Sequence, residues 1–178
     1  MLKLNLKYLH GILNFEEYAN STDQYFYIDK LECIKNELVG FKNIPNNLKS
    51  LNCAFNKIVS LDNLNPELEI LICVGNLIIE LNNLPTKLIN LDCSYNNICQ
   101  LDFLPESLTV LYCGHNQITK LDDLPNQLNK LNCESNKLTE LNNVPPNLIE
   151  FVCSGNNGLK KIKNQSAYWK YIKISKYV

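Results

Sequence analysis

The stretch Leu88-Ile-Asn-Leu-Asp-Cys-Ser-Tyr-Asn-Asn-Ile98 recurs in residue type twenty positions upstream, from Leu68 to Ile78, and twenty downstream, from Leu108 to Ile118. Cysteine keeps that step at Cys33, Cys53, Cys73, Cys93, Cys113, Cys133 and Cys153, and asparagine keeps it at Asn36, Asn56, Asn76, Asn96, Asn116, Asn136 and Asn156. Leucine stands two residues before each cysteine from Leu31 to Leu131, with Phe151 closing the column. Further columns run through Leu48, Leu68, Leu88, Leu108, Leu128 and Leu148, and through Ile58, Leu77/Ile78, Ile98, Ile118 and Leu138. Pro45, Pro85, Pro105, Pro125 and Pro145 open the turns, with Pro66 displaced by one. A period held this strictly is the signature of a solenoid.

The physics of one unit leads to the same architecture. In Ser50-Leu-Asn-Cys-Ala54 the period is two, so Leu51 and Cys53 point one way and Ser50, Asn52 and Ala54 the other. No single turn can bury its apolar face, so adjacent turns must supply the core as parallel strands about 4.8 Å apart. Seven such turns would span roughly 34 Å. A twenty-residue unit leaves too little chain for a full return helix, so extended, polyproline-like returns are expected. The expectation is a mainly β, curved solenoid of about seven turns. Its parallel strands line the concave face, its returns the convex side, and non-repeat caps close both ends. The repeats should occupy residues 24–163, with an N-terminal cap at 1–23 and a C-terminal cap at 164–178 built on the aromatic tail from Tyr168 to Val178.

Written out, the unit is L-P-x-x-L-x-x-L-x-C-x-x-N-x-I-x-x-L-[DN]-[DN]. Its core resembles the leucine-rich-repeat signature L-x-x-L-x-L-x-x-N-x-L, with cysteine at the third leucine. The resemblance covers most of the chain. The short unit is similar to the L-P-rich repeats of bacterial effectors of the YopM and IpaH type, and the cysteine-bearing form resembles repeats encoded by giant DNA viruses. In that family the asparagine side chain bonds backbone groups of adjacent turns, so the resemblance implies that role for the Asn column. In the IpaH type, ligase activity sits in a separate C-terminal domain. This chain ends about fifteen residues after its last turn, so no such activity is expected of it.

Composition narrows the function classes. The 178 residues are 46% hydrophobic, enough for a core, and the formal net charge is −1, which gives no overall pull toward nucleic acid or anionic membrane. All 17 basic residues are lysines, so the guanidinium that reads phosphate or guanine bidentately is absent. Asparagine, at 28 copies, and the lack of arginine look like an AT-biased coding sequence. No apolar run approaches the ~18 residues of a membrane span, and Met1 to Lys7 alternates apolar and polar residues, unlike a cleavable signal. An intracellular, cytoplasmic protein is expected, in the host cytoplasm if the source is a virus or an effector-secreting pathogen. The run from Lys160 holds six lysines and no acids, and it reads as a solvated edge.

The chemically tempting residues have structural explanations. A column of thiols on parallel strands lies in a line, whereas tetrahedral zinc needs ligands converging on a point. Parallel Cβ vectors also give disulfides a poor torsion, while a small buried hydrophobe is what cysteine makes well. Cys99 lies off the column, in step with Val59, Ile79, Thr119 and Thr139, and is expected as a partly exposed free thiol. The pairs Asp62-Asn63, Asn82-Asn83, Asp122-Asp123 and Asn142-Asn143 recur as calcium ligands would, but most are neutral and both residue types favour turns. His10 and His115 are the only histidines, and no phosphate loop, H-E-x-x-H or G-x-S-x-G motif occurs. No catalytic residue, metal or cofactor is therefore expected.

Function should then be written on outward strand positions. Most of these are polar, such as Asn90, Asp92 and Ser94, or Lys130, Asn132 and Glu134. Two rows depart: Ile70, Ile72 and Val74 are expected to be exposed together, and Val110 with Tyr112 lie two turns on, with Phe55 and Tyr95 bordering them. Exposed apolar patches often mark interfaces. The expected function is a non-enzymatic scaffold that binds a protein on this face. The partner is unidentified, and would be a host protein if the source is a virus or pathogen. The protein itself is expected as a monomer or weak self-associator, with neither nucleic acid nor membrane as a partner. The alternatives are a structural or self-associating repeat protein without a dedicated ligand and, by analogy with the effectors, an adaptor in ubiquitin ligation.

Overall fold

A computed structural model describes residues 2–5, 10–15, 28–164 and 174–175. Among these residues the strands, in chain order, are β1 Leu2–Asn5, β2 His10–Asn14, β3 Ile28–Glu32, β4 Glu37–Lys42, β5 Ser50–Asn52, β6 Ile70–Ile72, β7 Asn90–Asp92, β8 Val110–Tyr112, β9 Lys130–Asn132, β10 Glu140–Val144, β11 Glu150–Val152, β12 Lys161–Asn164 and β13 Ile174–Ser175. The main sheet has nine strands in the order β1-β3-β5-β6-β7-β8-β9-β11-β13. From β3 to β11 these are the twenty-residue rungs, all parallel and in strict register, with Leu51 opposite Leu71, Leu71 opposite Leu91 and Leu91 opposite Leu111. The mainly β, parallel solenoid expected from the period is thus the observed fold. The expected N-terminal cap and the aromatic C-terminal tail lie largely outside the described residues.

The repeat columns build one continuous core. Leu31, Leu51, Leu71, Leu91, Leu111, Leu131 and Phe151 are wholly buried, and the seven column cysteines stand beside them. Four Pro-x-x-Leu corners close with the leucine N–H donating to the proline carbonyl, at 3.2 Å for Leu48 and 3.0 Å for Leu88, Leu108 and Leu128. Where Pro66 is displaced, Asn65 takes the corner. Its side chain donates to Leu48 O at 2.6 Å and accepts from the Glu67 N–H at 2.9 Å.

From β4 to β12 the returns contain no helical element. In the middle of the stack they are joined by a backbone bond at each step, such as Leu77 N–H to Ile58 O at 2.9 Å and Asn97 N–H to Ile78 O at 2.8 Å, with a second, Thr119 N–H to Cys99 O at 3.4 Å, beside Gln117 N–H to Ile98 O. Toward the two ends the returns tighten into two-stranded parallel pairs, β2 with β4 and β10 with β12, which the period alone does not reveal.

Two columns of left-handed backbone set the corners. One follows the strand at Lys35, Phe55, Gly75, Tyr95, His115, Ser135 and Gly155. The other falls in the return, at Asn43, Asn63, Asn83, Phe103 and Asn143. Asparagine is among the few side chains that tolerate this conformation, so the pairs Asp62-Asn63, Asn82-Asn83 and Asn142-Asn143 serve the backbone with their second residue, whereas Asp122-Asp123 has no left-handed residue.

Candidate functional site

From Asn56 to Asn156 each column asparagine works as a staple between rungs. Asn96 Nδ2 donates to Cys93 O of its own rung and Cys73 O of the preceding one, both at 3.0 Å, while its Oδ1 accepts the Ile78 N–H at 3.0 Å. Asn56, Asn76, Asn116, Asn136 and Asn156 repeat the same three contacts within a tenth or two of an ångström. The column is consumed by backbone satisfaction, as the family resemblance implies.

The column thiols are free and buried. Burial pushes the Cys33 thiol up to about 12 and raises Cys53, Cys73, Cys93, Cys113 and Cys133 well above the ordinary thiol value, so none of these six offers a thiolate nucleophile. Among the described residues, no three His, Cys, Asp or Glu side chains are grouped so as to hold a metal ion. Cys99 is exposed, as its off-column position predicts.

The outward strand positions form the candidate surface, and here one expectation is corrected. Ile70, Ile72, Val74, Val110 and Tyr112 are half-buried rather than exposed, because rungs about 4.8 Å apart shield one another's side chains. Ala54 and Gly114, at positions read as outward, are buried. The register still assembles the rows as expected: Ile70 and Ile72 stand opposite Asn90 and Asp92, which stand opposite Val110 and Tyr112. Phe55 and Tyr95, at 51% and 56% exposure, edge this surface. The Phe55 ring lies against Gly75, where a Cβ would come within 2.7 Å of it, and Lys35 Nζ sits 5.9 Å from the ring centroid on its other neighbour. Tyr95 stacks on His115 with ring centroids 4.1 Å apart and planes 12° from parallel. The aromatic edge therefore falls into two pieces, Phe55 with Lys35 and Tyr95 with His115, separated by the Gly75 rung.

Charges at the two ends of this face are mostly internally paired, Lys30 with Glu32 at 3.3 Å and Lys130 with Glu150 at 3.2 Å. Glu134 lies 3.7 Å from His115 Nε2. The middle rung carries Asn90 and Asp92 between the two apolar rows.

A second apolar feature escaped the sequence reading. On the returns, Val39, Val59 and Ile79 are 41%, 53% and 60% exposed in register, and Ile12 beside them is 51% exposed. Ile12, Val39, Phe41 and Val59 line a surface depression of about 420 Å³. Its signal was present in the period, since Cys99 had already been aligned with Val59 and Ile79. Phe103, 93% exposed in a left-handed turn where its column otherwise carries asparagine, was also missed.

No protein-family model matches the sequence, and no curated protein matches it. Solved structures do. YopM from Yersinia enterocolitica is 28% identical with a TM-score of 0.56, over 77% of this chain and 37% of that one. YopM from Yersinia pestis, a leucine-rich effector protein, is 27% identical with a TM-score of 0.70, over 78% of this chain and 44% of that one. The functional domain of InlJ from Listeria monocytogenes, which includes a cysteine ladder, is 30% identical with a TM-score of 0.61, over 79% of this chain and 40% of that one. The chain spans less than half the length of each. With its repeat columns and parallel stacked rungs, the chain is a leucine-rich-repeat solenoid similar to bacterial effector proteins.

Proposed function

We propose that this chain is a non-enzymatic scaffold that engages a partner protein on the strand face, through Ile70, Ile72, Val74, Val110 and Tyr112, bordered by Phe55 and Tyr95. The observation that carries the reading is the pairing of two apolar rows in register on an otherwise polar face. Neither row is needed for the core, which Leu71, Cys73, Leu111 and Cys113 fill from the opposite side. The cysteines give no reason to look for nucleophilic chemistry, because those in the column are buried and protonated. Affinity capture from a host-type lysate tests the reading, with wild type beside an Ile72→Asp/Tyr112→Asp variant. A protein retained by wild type and lost by the still-folded variant supports it. Identical capture by both refutes it.

Self-association is a second reading, favoured by the exposed stripe Val39, Val59 and Ile79 on the returns. Light scattering over a concentration series decides it: a mass that rises with concentration and falls back on Val59→Asp/Ile79→Asp supports it, and a constant monomer mass refutes it.

A further inference from the structure

The strand face carries one charge that the fold does not use. Asp92 Oδ1 accepts the Ser94 N–H at 3.1 Å. At the same repeat position Asn52 Oδ1 accepts from Ala54 N–H at 3.2 Å, and Asn132 Oδ1 from Glu134 N–H at 2.9 Å. The neutral amide does the same local task in two other rungs, so the negative charge of Asp92 is surplus to the turn. Among the described residues no lysine or histidine lies within ion-pair distance of Asp92, whereas Lys30, Glu32, Lys130 and Glu150 on the same face are paired.

Its surroundings make the surplus charge matter. Asp92 is half-buried and stands in register between Ile72 and Tyr112. Two residues earlier on the same rung and face, Asn90 stands between Ile70 and Val110, and its Oδ1 is buried without a hydrogen-bond partner. The strand rise puts these two positions about 6.6 Å apart. The rung thus places one unpaired anionic acceptor, Asp92, between two apolar walls.

We propose that rung β7 is a cation-accepting subsite: the partner lays an extended segment on the apolar rows and delivers a lysine or arginine side chain to Asp92, between Ile72 and Tyr112. This rests on the reading of the strand face as the interface. An occupant that covers Ile72 and Tyr112 must also cover Asp92, which lies between them. A wholly apolar occupant would strand a desolvated carboxylate, which is strongly unfavourable, whereas a cationic one forms a charge-assisted hydrogen bond in a site shielded from water. The face of Tyr112 adds attraction for the same cation. The unpaired carboxylate therefore selects its partner by excluding those without a positive charge at that point.

The test is selection of a phage-displayed random twelve-residue peptide library on wild type, Asp92→Asn, Asp92→Lys and Ile72→Asp/Tyr112→Asp, each first shown to melt as a folded protein. Asp92→Asn preserves the acceptor for Ser94 N–H, as Asn52 and Asn132 demonstrate, so a folding defect is not expected. Wild type should enrich peptides with Lys or Arg flanked by apolar residues. Asp92→Asn should lose the basic position but keep the apolar ones, and Asp92→Lys should favour Asp or Glu there. Calorimetry with the best wild-type peptide should show at least about tenfold weaker binding for Asp92→Asn, and for the peptide with its base changed to Gln. Both changes together should weaken binding no more than either alone. Identical motifs from wild type and Asp92→Asn overturn the cation subsite while leaving the strand-face reading intact. The same basic motif from Ile72→Asp/Tyr112→Asp overturns the strand-face reading, and with it the subsite. A wild-type selection no richer than a bare surface overturns both.

Discussion

Replacing Asn96 with alanine removes a side chain that joins two rungs at three buried backbone groups. The Ile78 N–H loses its acceptor, and Cys73 O and Cys93 O each lose a donor at 3.0 Å. An orphaned buried N–H costs about 1–3 kcal/mol, and the two carbonyls lose bonds worth about 1 kcal/mol each, part of which relaxation recovers. The expected loss is therefore about 3 kcal/mol. For a chain of 178 residues that corresponds to a Tm lowered by roughly 6–12 °C. Urea titration followed by circular dichroism measures it, with Asn97→Ala as the control. Asn97 is an exposed neighbour in the same turn, so its loss should stay within about 0.5 kcal/mol. Asn96→Asp should cost more than Asn96→Ala, because it turns an anion toward two carbonyls. An Asn96→Ala loss below about 1 kcal/mol, or one equal to that of Asn97→Ala, would refute the staple as a stabilising device.

Other expectations follow from single features. Cys99 is the one exposed cysteine, so a native-state alkylating reagent should modify one thiol at Cys99 and reach all eight only after denaturation; rapid modification of any column cysteine in the folded protein contradicts the burial argument. Because burial raises the column thiols above their ordinary value of 9.0, with Cys33 at about 12, they stay protonated in the folded chain at pH values where the unfolded chain gives up its protons. Their contribution is complete below pH 9 and is lost as pH rises, by up to about 1.4 kcal/mol per pH unit for each thiol. Urea midpoints between pH 8 and 11 should fall steeply for wild type and less steeply for Cys93→Ala. Phe103→Asn, which puts a turn former in the left-handed position that asparagine fills at 43, 63, 83 and 143, should raise stability by roughly 0.5–1 kcal/mol. Unchanged or lower stability would mean that the Phe103 ring makes contacts that offset its strained backbone.

The columns were legible in the sequence because each records a requirement repeated in every turn. A leucine must fill the inner layer, a cysteine the narrow space beside it, and an asparagine must answer three backbone groups. What lies between columns was less legible, because it depends on which side chains happen to be neighbours a rung away. Ile70, Ile72 and Tyr112 were correctly placed on the outward face, yet their exposure was overstated, since shielding comes from adjacent rungs and not from the unit itself. Asp92 was visible only as one of several polar outward residues. Its distinction emerges when its Ser94 contact is set beside those of Asn52 and Asn132 and its lack of a counter-ion is seen. The stack of Tyr95 on His115 likewise needed the left-handed backbone of both residues, which no composition signal marks.

The asparagine staple also gives the stack a direction. Each Asn reaches back to the rung before it and satisfies that rung's N–H and carbonyl, but it asks nothing of the rung after it. Rung 70–78 is thus completed by Asn96, and rung 90–98 by Asn116. Peeling from the C-terminal side therefore exposes unanswered backbone groups in the rung left behind. Peeling from the N-terminal side opens the backbone ladder in the same way, but of the staple it leaves only a side-chain amide with spare capacity, which water can fill. The two frayed edges therefore differ in what the staple leaves behind: orphaned backbone groups at the C-terminal edge and an idle amide side chain at the N-terminal one.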